Sequence, residues 1–492
     1  MVLKTGSAAI QKVYFIGIKG TGMCALAELM HNLGVEVSGS DQSEQFYTDK
    51  ILNDLEIPYY ESFSASHIPS GNASPDLVVY SAAYSFETNV EMAEARRRGI
   101  SVRKFPDALG EYSSAFDSSA VAGVHGKTTT TALAGTILRG VGAPAQVLVG
   151  SAVSAFGDRS TVIMGDKYFV AETCEYKRHF LSFCPRRIVL TSIESDHQDY
   201  YPAYDDIMKA FMEFGRKLPM NGQLIYCADD KGASEAARAL KKERPVLEII
   251  PYGFSAAGDY GIESFSVRDE SIVMRLRFFP GELKLRIPGR HTALNTAGAM
   301  ALVSSILRKE FGSEGFNGWN DERREAARRA LEEFRGSRRR TEILGQAGGI
   351  LFIDDYGHHP TAIKSTIEGF REFYPGRRLV LSFMSHTYTR TASLLDEFAA
   401  SFGDADIVLL HKIYSSAREQ YNGGITGRTL YEKVKCLHSG EVFYEEESED
   451  AADLMKGMLR RGDLFVTMGA GDNWKLGKKL FDFYSGKDEK NK

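Results

Sequence analysis

Between a short apolar run and a helical pattern, the chain reads Gly123-Val124-His125-Gly126-Lys127-Thr128-Thr129-Thr130. Glycines at such a junction let several backbone N–H groups turn toward one point, where the helix dipole also favours an anion. The Lys and Thr that follow offer an ammonium to phosphate oxygens and a hydroxyl to Mg2+, so the segment reads as a cradle for a nucleoside triphosphate. Val121 stands where the first glycine of the G-x-x-x-x-G-K-[ST] pattern belongs.

Two apolar runs downstream end in candidate metal ligands. KYFVAETCEY carries Glu172 and Glu175, and RIVLTSIESDHQDYY carries Glu194, Asp196 and His197. In a parallel sheet the C-terminal strand ends share one edge, so these groups come to the edge that bears the phosphate loop. There they can hold a Mg2+ that bridges phosphates. The same acids also suit helix N-caps and solvated loop positions.

At the amino end, Gly17-Ile18-Lys19-Gly20-Thr21-Gly22 follows a strand pattern and opens a helix, and Asp41 closes the next strand. The layout suits a diphosphate at the loop and a sugar or base at the acid. Its G-x-x-G-x-G spacing differs from the dinucleotide G-x-G-x-x-G, and a nicotinamide-dependent dehydrogenase leaves the triphosphate-type loop unexplained. In the last third, Asp354-Asp355-Tyr356-Gly357-His358-His359-Pro360 and Ser385-His386-Thr387-Tyr388-Thr389-Arg390 each follow an apolar strand. Adjacent histidines before a proline-started helix read as loop-fixing or substrate-facing groups rather than a structural metal site. No Ser-His-Asp or Cys-His arrangement stands out, so the chemistry needs no covalent nucleophile.

The elements that position these loops follow one pattern. KVYFIGI, SSAVAGV and GGILFIDD are strands that each lead through a loop into a helix, which predicts an α/β protein with mainly parallel sheets. At about 150 residues per domain, the 492 residues make three domains. The polar EYSSAFDSS and FRGSRRR read as linkers, giving domains 1–115, 116–337 and 338–492. A composition 43% hydrophobic and 25% charged excludes global disorder, and a net charge of -5 excludes the basic field of a dedicated nucleic-acid binder. The five cysteines have no C-x-x-C spacing, so neither a disulfide framework nor a zinc site is expected. No run reaches the roughly 18 apolar residues of a membrane span. A cytoplasmic chain without membrane insertion is therefore expected.

In order, GIKGTGM with SGSD, VAGVHGKTTTT, ETCEY with TSIESDHQDYY, GRHTALNTAGA, FRGSRRR, IDDYGHHPT, SHTYTRT and MGAGDNW resemble the ATP-dependent Mur ligases over nearly the whole chain. The resemblance implies a Rossmann-like UDP-binding domain, a central P-loop ATPase domain and a Rossmann-like C-terminal domain. It implies ATP and Mg2+ as cofactors, and joining of L-alanine to UDP-N-acetylmuramic acid through an acyl phosphate in peptidoglycan synthesis. Carried over by motif, Gly20, Thr21, Gly22, Asp41 and Ser81 hold the UDP moiety. Gly123, Gly126, Lys127, Thr128 and Thr129 meet the phosphates. Thr128, Glu172 and His197 meet the metal, with Lys127, Glu172 and His197 catalytic. His291 and Asn295 face the adenosine, Arg338 or Arg339 the phosphates, and Asp354 the ribose. Tyr356, His358, His386 and Arg390 face the amino acid.

The chain departs from the family pattern at Cys174 and Lys177, where acids are usual, and at Thr387, where an arginine is usual. The Thr387 departure leaves room for a related ligase that uses another amino acid or a recycled peptide. A non-catalytic UDP-sugar-binding regulator would not need Gly126-Lys127-Thr128 and Glu172.

Overall fold

The run KVYFI forms the strand Lys12–Ile16, buried from Val13 onward. It lies at the centre of a five-stranded parallel sheet in the order Tyr59–Tyr60, Glu36–Ser40, Lys12–Ile16, Leu77–Tyr80, Ser101–Lys104. Strand order reverses beside Lys12–Ile16, and such a switch point opens a crevice outside the carboxyl ends of the strands. Gly17–Gly22 and Ser81 follow the two strands that flank it. The helix Thr21–Asn32 starts in that loop and packs Leu26, Leu29 and Met30 inward.

A second sheet has seven strands, in the order Arg159–Ile163, Ala145–Val153, Tyr168–Glu172, Asp117–Ala122, Arg187–Leu190, Gln223–Cys227, Glu248–Tyr252. Only the edge strand Arg159–Ile163 is antiparallel to its neighbour. Asp117–Ala122, buried from Ser118 onward, leads through the glycine loop into the helix Lys127–Gly140. These two sheets belong to one compact unit, Met1–Glu194 with Asp205–Gly261 and Thr296–Ala330. The computed structural model describes residues 4–5, 8–312, 314–315, 317–415, 421 and 423–490.

The expected irregular linker EYSSAFDSS is not irregular. Phe105–Ser114 is a helix with a proline in its first turn, a position where the missing N–H costs nothing. Tyr112 packs on Phe116 and Phe169, whose ring stacks on Phe183. Aromatic pairs of this kind contribute about 0.5–1.5 kcal/mol each beyond their burial, which outweighs the weak helix propensity of the serines.

The second unit is Ser195–Tyr204 with Ile262–Asn295 and Leu331–Lys492. It holds an antiparallel meander, Ile262–Arg268, Ser271–Leu276 and Phe279–Leu285. Its six-stranded sheet runs Glu342–Ala347, Ile350–Asp355, Asp463–Gly469, Arg378–Met384, Ile407–Leu410, Glu441–Tyr444, with only Glu342–Ala347 antiparallel. The three central strands end in the Asp354-Asp355, Gly469–Gly471 and Ser385-His386 segments, which therefore share one edge. Among the described residues, no helix is long and apolar enough to cross a membrane.

Candidate active site

In the first unit, the phosphate loop is pinned to the end of the neighbouring strand. Val124 N donates to Ser192 O at 3.0 Å, His125 N donates to Ser192 Oγ at 2.9 Å, and Thr191 Oγ1 donates to His125 O. Gly123 has φ +138°, and a Cβ there would meet Thr191 Oγ1 at 2.1 Å, so only glycine fits. The helix that follows has no side-chain cap at Gly126, which leaves its first N–H groups to an incoming anion.

Lys127 Nζ folds back over this loop. It donates to Glu175 Oε2 at 2.9 Å and Oε1 at 3.2 Å, and to the carbonyls of Gly123 and Val124. Burial pulls the Lys127 ammonium toward its neutral form, but the Glu175 carboxylate, with Cys174 and Glu172, holds its pKa above the ordinary value. Thr128 Oγ1 donates to Glu172 Oε1 at 3.0 Å, and Gly150 N donates to Glu172 Oε2 at 2.8 Å. A hydroxyl and a carboxylate side by side are the hard oxygen donors that Mg2+ takes. Sequence reasoning placed Glu175 among possible ligands; the structure makes it the partner of Lys127. Glu194 lies against the His125 imidazole. Thr129 is half-buried in the helix's first turn, while Cys174 and Lys177 are exposed.

The amino-terminal loop is equally tight. Gly17, at φ +85°, has Ser81 and Tyr84 within 2.9 Å of where a Cβ would stand. Thr21 Oγ1 accepts from Tyr47 OH at 3.2 Å, and a Cβ on Gly22 would meet the Phe105 ring at 2.8 Å. Gly20 is exposed at the helix start. Asp41, expected at the UDP moiety, is bonded within the loop region. Its Oδ2 accepts from Lys19 N at 2.7 Å, and its Oδ1 accepts from Gln42 N at 2.8 Å and Tyr84 OH at 3.0 Å. Asp41 thus ties the glycine loop to the next strand. Lys19, 1% exposed and bonded to Glu61 at 2.8 Å and Asp49 at 3.1 Å, was not singled out from sequence. Its place inside the glycine loop was the available signal.

In the second unit, the Arg339 guanidinium bonds to other segments of the chain. Its Nε donates to Asp354 Oδ2 at 3.0 Å, and its Nη1 and Nη2 donate to the carbonyls of Gly471 and Gly469, each at 2.9 Å. Of the two arginines expected at phosphate, Arg338 is the exposed one. Asp354, expected at the ribose, has a partner on each oxygen, the second being Thr467 Oγ1 at 2.6 Å. Burial pushes its carboxyl up, against Arg339 and Thr467, to about 6. Asp355, unremarked in sequence, accepts from Thr341 N and Gly357 N, both at 2.7 Å. Together the two acids anchor the 337–341 linker.

His291 packs on Gly289, whose Cα would lie 2.6 Å from a Cβ on Gly369, so a glycine pair brings the helix Pro360–Phe373 against this segment. Asn295 is buried one turn further on. His358 Nδ1 lies 2.7 Å from Tyr356 O, so that nitrogen carries the proton. Burial, Arg390 and His386 hold its pKa well below the ordinary value, against the pull of Asp196. Tyr356 has Arg339 over its ring at 5.1 Å, and His358 and His386 meet edge to face at 5.3 Å. Arg390 is buried against Asp196, His386 and Thr387 line a small cleft with His197, and Arg390 borders it. Burial raises the Asp196 carboxyl's pKa, but Arg390, His197 and His358 outweigh it and hold it far below the usual range.

Six described non-glycine residues of this unit have left-handed backbone: Asp269 (φ 50°) and Glu270 (φ 49°) in the hairpin turn between Ile262–Arg268 and Ser271–Leu276, and His197 (φ 53°), Arg339 (φ 59°), Thr341 (φ 50°) and Thr387 (φ 64°). Thr387, with ψ 145°, lies where L-residues rarely go, a conformation that costs on the order of 1–3 kcal/mol. Such strain collects at functional loops, and outside that hairpin turn it falls in or beside the motif segments.

Three family models cover the chain in order: Mur ligase family, catalytic domain, at residues 12–117; Mur ligase middle domain at 121–303; and Mur ligase, glutamate ligase domain, at 339–471. The chain is 50% identical over 473 residues to a UDP-N-acetylmuramate–L-alanine ligase of Treponema pallidum (strain Nichols), covering 96% of each. It is 36% identical over 468 residues to the ligase of that name from Borreliella burgdorferi, covering 95% of this chain and 98% of that one. Among solved structures, the UDP-N-acetylmuramate-alanine ligase of Thermotoga maritima matches with a TM-score of 0.74 at 25% identity, over 97% of this chain and 99% of that one. A three-domain α/β architecture, a phosphate loop with its Lys and Thr in place and these matches over almost the full length agree: the chain belongs to the Mur ligase family.

Proposed function

We propose that this chain joins L-alanine to the carboxylate of UDP-N-acetylmuramic acid at the expense of ATP, an amide-forming step of peptidoglycan synthesis. The observation that carries the reading is the phosphate loop, where Lys127 and Thr128 are already paired with Glu175 and Glu172. The relatives' shared name supports the choice of L-alanine. ATP as an intracellular substrate supports a cytoplasmic location, and the domain limits 1–115, 116–337 and 338–492 remain the proposed ones.

A carboxylate is a poor electrophile, so its oxygen first takes the γ-phosphoryl group, giving an acyl phosphate and ADP. The amine of the amino acid then attacks the carbonyl carbon and phosphate leaves. Lys127 and the loop N–H groups offset charge on the phosphoryl oxygens as the first step proceeds. Mg2+, held by Thr128 and Glu172, supplies further charge to the phosphates when bound. Ser81 and the Gly20-Thr21-Gly22 turn are assigned to the UDP moiety, Arg338 to phosphate, and Tyr356, His358, His386 and Arg390 to the amino acid. His197 at the metal and His291 and Asn295 at the adenosine rest on the family motifs.

The test is ADP release with UDP-N-acetylmuramic acid and each amino acid in turn. L-alanine should give the highest kcat/KM, with the amide product identified by mass spectrometry. Preference for another amino acid or a peptide overturns the substrate assignment, and no stimulation of ADP release by UDP-N-acetylmuramic acid overturns the ligase reading.

A further inference from the structure

Arg390 carries five N–H donors in a fixed plane. Its Nε and Nη2 donate to Asp196 Oδ1 at 3.0 and 2.6 Å, and its Nη1 donates to His386 Nδ1 at 3.0 Å and reaches His386 O at 3.4 Å. The same Asp196 oxygen accepts the His197 backbone N–H at 2.6 Å. Both side chains of the ion pair are 5% exposed. Removing one partner of such a pair leaves the other as a buried, uncompensated charge. An amino acid of about six heavy atoms makes too few contacts to displace that carboxylate.

Asp196 takes the Nε hydrogen and one Nη2 hydrogen; the second Nη2 hydrogen is left for another acceptor, joined by one on Nη1 when a single N–H serves both His386 contacts. Two such hydrogens make a fork that matches a carboxylate. Arg390 lines the small cleft formed with His197, Gln198, Asp199, Thr387 and Thr389. Thr387 brings no charge to that cleft, so recognition of an α-carboxylate there depends on how Arg390 is held.

We propose that Asp196 is a positioning residue for the amino-acid substrate: it grips the Nε edge of Arg390 and so presents the outer fork to the α-carboxylate. This rests on reading the 385–390 loop as the amino-acid site. Asp196 does not touch substrate and acts only through Arg390.

The test is steady-state kinetics of the full chain carrying Asp196→Asn, Arg390→Ala or both, with the KM for L-alanine, the KM for ATP, kcat and Mg2+ dependence measured for each. Asp196→Asn keeps the shape and loses the charge that fixes the fork. It should raise the KM for L-alanine by about tenfold, with kcat at saturating L-alanine, the ATP KM and the Mg2+ dependence nearly unchanged. The double variant should match Arg390→Ala alone, since Asp196 has no effect except through the arginine. Asp196→Glu keeps the charge that the buried guanidinium needs and shifts the fork by one methylene. It should show the same split in smaller measure, and it decides the matter if Asp196→Asn does not fold.

An unchanged or lowered KM for L-alanine in both Asp196 variants overturns the proposal while Arg390→Ala still raises it. A fall in kcat with a higher Mg2+ requirement and constant KM also overturns it, by assigning Asp196 to His197. An unchanged KM in Arg390→Ala overturns the reading of the site itself.

Discussion

Lys127 and Glu175 form an ion pair at the phosphate loop, Nζ to Oε2 at 2.9 Å, with Glu175 only 2% exposed. The residue best suited to meet a γ-phosphate is thus held in place by an internal carboxylate. A phosphate oxygen that reaches Lys127 competes with Glu175 for the same ammonium.

Lys127→Ala should lower kcat by at least about 10²-fold, the loss expected for one preorganised electrostatic contact. It should also lower stability, because Glu175 is left buried without its partner. The double variant Lys127→Ala with Glu175→Gln should regain stability and not activity. Urea denaturation and ADP release separate the two effects; near-normal ADP release by the folded double variant would sink the phosphate assignment.

Glu172 takes one hydrogen bond from Thr128 and one from Gly150 N. Glu172→Gln keeps most of that geometry and loses the charge. The Mg2+ concentration for half-maximal activity should rise by about tenfold or more. An unchanged Mg2+ titration would make Glu172 a loop anchor alone.

Asp354 gives a pH dependence with a definite sign. Its folded-state pKa of about 6 lies above the ordinary aspartate value of 3.8, so the folded chain binds more protons between those values. Its stabilising contribution is therefore present at low pH and is lost as pH rises through about 6. The stability of the native chain relative to Asp354→Asn should fall by roughly 2–3 kcal/mol between pH 4 and pH 7. Denaturant midpoints of both proteins across that range check it, and a flat difference would place the carboxyl at its ordinary pKa.

Thr387 occupies a backbone conformation that glycine enters freely. Thr387→Gly should relieve strain and raise stability by about 1 kcal/mol, an effect read from the midpoint of thermal unfolding. The Thr391 Oγ1 bond to its carbonyl does not depend on the side chain. Loss of stability would show that the threonine side chain contributes more by packing than the backbone costs.

The sequence alone determined the strand, loop and helix units and the edge on which their loops meet. Apolar runs, glycine junctions and helical spacing act over a few residues, and the parallel-sheet rule turns those local signals into shared position. That is why Lys127, Thr128 and Glu172 were legible together, and why the helices at Thr21, Lys127 and Pro360 begin where expected. What each charged group is bonded to was decided only by the tertiary structure. Asp196 meets Arg390 from 194 positions away, and Arg339 meets the carbonyls of Gly469 and Gly471 from more than 100 away. A charge takes whichever partner the packed chain brings within about 3 Å, and no local pattern encodes that distance. So Asp41, Asp354 and Arg339, expected at ligands from sequence, also tie the chain to itself, and EYSSAFDSS became the end of a helix and the start of a strand around Tyr112 and Phe169.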